Sequence, residues 1–153
     1  MSASKFIYVI YIRTTQEKLW DALRKPEFTK QYWHGSWQES DWKAGAPWKM
    51  SMPDGRVSDQ GEVVEIDPPR RLVLSWQNQF LPELKEEGFS RATYELEQIQ
   101  DAVKLTVTHE MDRKDSKFIE KVSQGWPAIL SSLKSYLETG ETFERTKIWP
   151  KRD

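Results

Sequence analysis

The chain has 153 residues, 37% hydrophobic and 31% charged, with 23 Lys and Arg against 24 Asp and Glu for a net charge of −1. That length suits one domain with a real core, and that balance excludes a disordered chain and argues against a duplex-binding protein, which needs a basic excess. There is no cysteine, which excludes disulfides, thiolate zinc sites and cysteine nucleophiles and fits a reducing cytoplasm, the expected location.

The first element is Phe6–Ile12, β-branched and aromatic throughout, which predicts a strand apolar on both faces. Seven residues are too few to span a bilayer, and no small-residue cleavage site follows, so neither a membrane span nor a signal peptide is expected. Thr14 or Thr15 then caps a helix carrying Leu19, Trp20, Ala22 and Leu23, and Pro26 opens a second with Phe28, Tyr32 and Trp33, ended by His34-Gly35. Strands follow at Trp48–Met52, Val57–Ile66 and around Leu72, Leu74 and Trp76. Residues 77–88 are polar and acidic and read as a long loop. Two more strands follow, Phe89–Leu96 and the alternating Val103, Leu105, Val107, His109 and Met111. Phe118, Val122, Trp126, Ile129, Leu130, Leu133, Tyr136 and Leu137 form one apolar stripe of a long last helix. Asp115 or Ser116 caps it, Gly140 stops it, and Pro127 predicts a kink. The expected class is α+β, one domain over 1–153, with a curved antiparallel sheet around the long helix, an elongated cavity between them, and a loosely ordered tail over 141–153.

Four of the eight tryptophans fall between Gln31 and Met50: Trp33, Trp37, Trp42 and Trp48. A nucleic-acid stacking platform needs a basic groove, and here Glu39 and Asp41 oppose Lys43 and Lys49, so no nucleic-acid partner is expected. Core packing and a ligand wall both remain open, and the same rings can serve both. The expected cavity wall is Trp33, Trp48, Trp76, Tyr94, Leu105, Val107, His109, Trp126, Ile129, Leu130 and Leu133, although a one-residue register slip would invert the strand members.

No catalytic signature stands out. His109 faces inward by alternation and is either a base or a histidine satisfied by its neighbours. The spacing for a metal site is missing, as are GxSxG and a glycine-rich phosphate loop, so neither a metal nor a cofactor is expected. The acidic residues Glu83, Glu86 and Glu87 read as solvated surface.

The stretches TQEKLWDAL (Thr15–Leu23), PEFTKQYW (Pro26–Trp33), GEVVEIDPPRRLVLSW (Gly61–Trp76), VKLTVTHE (Val103–Glu110) and GWPAILSSL (Gly125–Leu133) span nearly the whole chain. Their order resembles the START and birch-pollen-allergen-like (SRPBCC) superfamily. Their local motifs resemble more closely still one bacterial branch, similar to the C-terminal domain of the activator of the heat-shock protein 90 ATPase. The resemblance implies a helix-grip fold. Its members include lipid and hormone binders, aromatase/cyclases and chaperone cofactors. Three functions are therefore weighed: non-enzymatic binding of a hydrophobic or aromatic small molecule or lipid, a chaperone-cofactor or other protein-interaction module, and a cyclase or hydrolase with His109 as base. Ligand identity and oligomeric state stay open.

Overall fold

A computed structural model describes residues 3–147 and 149. Strand β1 (Ser4–Ile12) alternates: Phe6, Tyr8 and Ile10 lean on the core and Ile12 is fully buried, whereas Ile7, Val9 and Tyr11 face outward. Thr15 caps helix α1 (Gln16–Arg24) by accepting the Lys18 N–H, and α1 buries Leu19, Trp20, Ala22 and Leu23. Helix α2 (Pro26–Tyr32) starts on its proline, and the Tyr32 hydroxyl donates to the Ala22 carbonyl at 2.8 Å, fastening the two helices. The chain leaves α2 through His34 and Gly35, with φ of 55° and 75°.

Six strands follow: β2 (Trp37–Ser40), β3 (Pro47–Ser51), β4 (Val57–Asp67), β5 (Arg71–Asn78), β6 (Ser90–Ile99) and β7 (Ala102–Met111). They form an antiparallel meander, and β1 closes on β7, giving one seven-stranded sheet of order β1-β7-β6-β5-β4-β3-β2. The α+β helix-grip expectation therefore holds. Strand β2, in the tryptophan stretch, is an addition to the sequence reading. The expected polar loop over 77–88 is also corrected: Gln77 and Asn78 belong to β5, and a short helix α3 (Pro82–Lys85) anchors the remainder through buried Leu81 and Leu84.

Helix α4 (Lys117–Thr139) is capped by Ser116, whose Oγ accepts the Ile119 N–H at 3.1 Å, and ends at Gly140 with φ 86°. It runs as one helix through Gly125 and Pro127. Glu87, expected to be plain solvated surface, grips its start. Its carboxylate accepts from the Ser116 hydroxyl at 2.6 Å and from the N–H groups of Lys117 and Phe118 at 2.9 and 3.3 Å. An anion at a helix N-terminus satisfies orphan donors and the helix dipole together.

The expectation of a loosely ordered tail over 141–153 meets several hydrogen bonds where residues are described. The Phe143 N–H donates to Ser132 Oγ at 2.9 Å, the buried Thr146 places its Oγ1 2.8 Å from the same atom, and the Thr146 carbonyl accepts the His34 N–H at 2.6 Å. The rest of that expectation, residues 148 and 150–153, lies outside the described residues. Among the described residues no helix is long and apolar enough to cross a membrane.

Candidate functional site

Helix α4 packs down on β1 and β7, and there the inner space is closed. Leu105 and Val107 of β7, Tyr94 of β6, and Leu130 and Leu133 of α4 are all essentially without solvent exposure in this half. Strands β3 to β5 curl away from the N-terminal half of α4, and a cavity of about 620 Å³ opens between them. From α4 it receives Phe118, Lys121, Val122, Gly125, Trp126 and Ile129, one helical stripe at spacings of three and four. From the sheet come Met50, Asp59, Trp76 and Asn78, with Met52 and Arg56 beside them. Trp33 and His34 close the α2 side, Phe80 and Leu81 the α3 side. Trp149 lies edge-on to Phe80 at 5.5 Å and completes the wall.

Trp76 organises the interior. Its ring lies 4.5 Å from Trp48, 5.3 Å from His109, 6.0 Å from Trp126 and 6.1 Å from Trp33 by centroid. These are distances at which aromatic pairs add to simple burial. Three buried indole N–H groups have partners: Trp76 donates to Asp59 Oδ2 at 2.8 Å, Trp48 to Gln38 Oε1 at 2.9 Å, and Trp126 to His109 Nδ1 at 3.1 Å.

That last bond settles the chemistry of His109. Because Nδ1 accepts, the ring proton sits on Nε2, which donates to Ser90 Oγ at 2.8 Å. The Ser90 hydroxyl passes the chain on to the Trp76 carbonyl at 2.9 Å. Burial pushes the imidazole pKa down to about 3, so the ring is neutral. Both nitrogens are used and none is left to take a proton from a substrate. Through Ser90, His109 ties Trp126 to the backbone of Trp76.

Asp59 is a buried polar group of the cavity that sequence reasoning missed. It is 8% exposed, and burial raises its carboxyl to about 6 against the hydrogen bonds from Trp76 and Ser58, which lower it. No signal in the sequence marks it, because Ser58 and Asp59 are both buried although adjacent in a strand. The Tyr94 hydroxyl is buried without a hydrogen-bond partner, and its pKa is driven far up by burial. Among the described residues no three His, Asp or Glu side chains converge as a metal site would require.

Of the eleven residues expected on the wall, Trp33, Trp76, Trp126 and Ile129 border the cavity. Trp48, Tyr94, Leu105, Val107, His109, Leu130 and Leu133 lie instead in the packed core around it. Trp37 and Trp42 are elsewhere: the Lys30 ammonium sits 4.8 Å over the Trp37 ring and the Arg24 guanidinium 5.7 Å over Trp42. Phe80, Phe118 and Trp149 are lining rings that the expected wall lacks. Phe118 is on the α4 stripe, where its spacing could have flagged it.

The family model described as Activator of Hsp90 ATPase homolog 1-like protein (AHSA1) matches residues 13–138. The chain belongs to that family. No curated protein matches this AHSA1 member by sequence. Among solved structures it is similar to MLL2253 from Mesorhizobium loti, with 21% identity, a TM-score of 0.75, and coverage of 88% of this chain and 97% of that one. The Aha1 dimer from Colwellia psychrerythraea gives 19%, 0.70, and 90% and 98%. PFC0360w from Plasmodium falciparum, described as an HSP90 activator, gives 23%, 0.71, and 88% and 96%. At these identities the structural likeness of the AHSA1 member to each concerns the fold.

Proposed function

We propose that the protein binds a flat, hydrophobic or aromatic small molecule in the cavity between α4 and strands β3 to β5, without catalysing a reaction on it. The observation that carries this reading is Gly125. A glycine inside a helix costs about 1 kcal/mol relative to alanine. A Cβ at Gly125 would meet nothing within 4 Å, so packing does not demand the glycine. What the glycine keeps is depth in a space walled by Trp33, Trp76, Phe80, Phe118, Trp126 and Trp149. A volume of about 620 Å³ falls within the usual range for small-molecule pockets, and rings with a few placed polar groups are their usual lining. Loss of apolar surface from water would drive binding. The lack of cysteine supports a cytoplasmic setting.

The test fills the space. Wild-type protein titrated with neutral 2-naphthalenemethanol is expected to show saturable one-to-one quenching of tryptophan fluorescence. Gly125→Leu, folded by circular dichroism, is expected to bind at least tenfold more weakly. Equal binding by the two proteins, or none by the wild type, would contradict the reading.

A second reading, a module acting on a heat-shock ATPase, draws on the family description and on the outward row of β1. Ile7, Val9 and Tyr11 are 55%, 46% and 50% exposed there on an edge strand. It predicts that the protein stimulates the ATPase of purified heat-shock protein 90 and that Val9→Lys abolishes the stimulation. Unchanged ATPase rates at saturating protein would remove it.

A further inference from the structure

Asp59 is a carboxylate built into an aromatic wall. Its Oδ2 accepts the Trp76 N–H at 2.8 Å, and it lines the cavity at 8% exposure. The influences on it are burial, the Trp76 N–H and the Ser58 hydroxyl, with no cationic partner among the described residues. Among the described residues two cationic side chains, Arg56 and Lys121, also border the cavity. Arg56 is engaged with Asp54, its Nε 2.8 Å from Oδ2 of that carboxylate, and Lys121, on the cavity-lining stripe of α4, is itself solvent-exposed. A buried charge without a countercharge costs several kcal/mol in a low-dielectric site. The same cavity is lined by the rings of Trp33, Trp76 and Trp126, and aromatic faces attract cations.

Resting on the cavity reading above, we infer that the molecule the cavity takes is an organic cation, a protonated amine on a flat apolar body, with its ammonium paired to the Asp59 carboxylate and its rings against the tryptophans. The amine supplies the missing countercharge and N–H donors, and the aromatic rings take both its charge and its body. An aliphatic or aromatic acid would bring a second negative charge beside Asp59. Among the described lining residues its cationic partners would be Arg56, already held by Asp54, and Lys121.

The experiment is a matched ligand series at pH 7.5 and fixed salt, read by isothermal titration calorimetry on the wild-type protein: 2-naphthylmethylamine, 2-naphthalenemethanol and 2-naphthoate. The amine is expected to bind at least tenfold more tightly than the alcohol, and the acid most weakly. In Asp59→Asn, checked for folding by its melting curve, the ratio of amine to alcohol affinity is expected to fall to within about twofold. An alcohol or acid that binds wild type as well as the amine overturns the inference while leaving the cavity reading in place. If none of the three binds, both fall. The wild-type series decides even where the variant does not fold.

Discussion

Asp59 and His109 are buried titratable groups at the aromatic centre, and they move stability in opposite directions. An unfolded aspartate titrates near 3.8, and Asp59 in the fold near 6. Between those values the folded protein holds more protons than the unfolded one, so stability falls as pH rises and the loss is complete above pH 6. The size of that loss is about 3 kcal/mol. His109 runs the other way. The unfolded histidine titrates at about 6.5 and the folded one at about 3, so protons bind the unfolded chain first and stability rises with pH across that window. In the wild type the two slopes oppose each other between pH 4 and 6. Asp59→Asn keeps an acceptor for the Trp76 N–H and removes one slope. It is expected to raise stability at pH 7.5 by up to about 3 kcal/mol and to leave stability climbing from pH 4 to 6. Urea unfolding at several pH values checks this. An Asp59→Asn protein less stable than wild type at pH 7.5 would show that the carboxylate is not held at a cost. A stability cost retained at a cavity wall is what a binding site leads one to expect.

Among the elements, β4 decides where the cavity lies. The β3–β4 register shifts at Met50/Ser51 and the β4–β5 register between Val63 and Glu65, and such irregularities bend and twist a strand. Between them Gly61 approaches β5 so closely that a Cβ would sit 1.9 Å from the Ser75 carbonyl oxygen. Gly61→Ala must therefore push two strands apart, and a loss of about 3 kcal/mol is expected in chemical denaturation. Gly125→Ala, with open space at its Cβ, is expected to gain about 0.5–1 kcal/mol in the same assay. Equal effects at the two positions would refute this account of the curl. The regular elements were legible in the sequence. The alternation of Val103, Leu105, Val107, His109 and Met111 gives β7 with those residues buried, and the spacing of Phe118, Trp126, Ile129, Leu130 and Leu133 gives the inner face of α4. The irregular elements were not. Period-two reasoning cannot bury Ser58 and Asp59 together, nor foresee that α3, with two buried leucines at its edge, interrupts an acidic stretch. Alternation identified which strand residues face inward. It could not say that the helix closes on β7 and leaves its space at β4 and β5, because that depends on the bulges.

For the molecule as a whole, the sheet grips α4 at one end and stands off it at the other, and the tryptophans divide accordingly. Trp33, Trp76, Trp126 and Trp149 border the open end, Trp48 backs Trp76 inside the core, and Trp37 and Trp42 lie under surface cations. The sequence announced the aromatic excess but not this division, which follows from the curl. The division also gives the central claim its most direct measurement. In a proton–nitrogen NMR spectrum the eight indole N–H groups report their surroundings one by one. Titration with 2-naphthalenemethanol is predicted to shift the Trp33, Trp76 and Trp126 signals in a common saturable curve and to leave Trp37 and Trp42 unmoved. Shifts confined to Trp37 and Trp42, or no shift at any indole, would contradict a binding cavity between the long helix and the sheet.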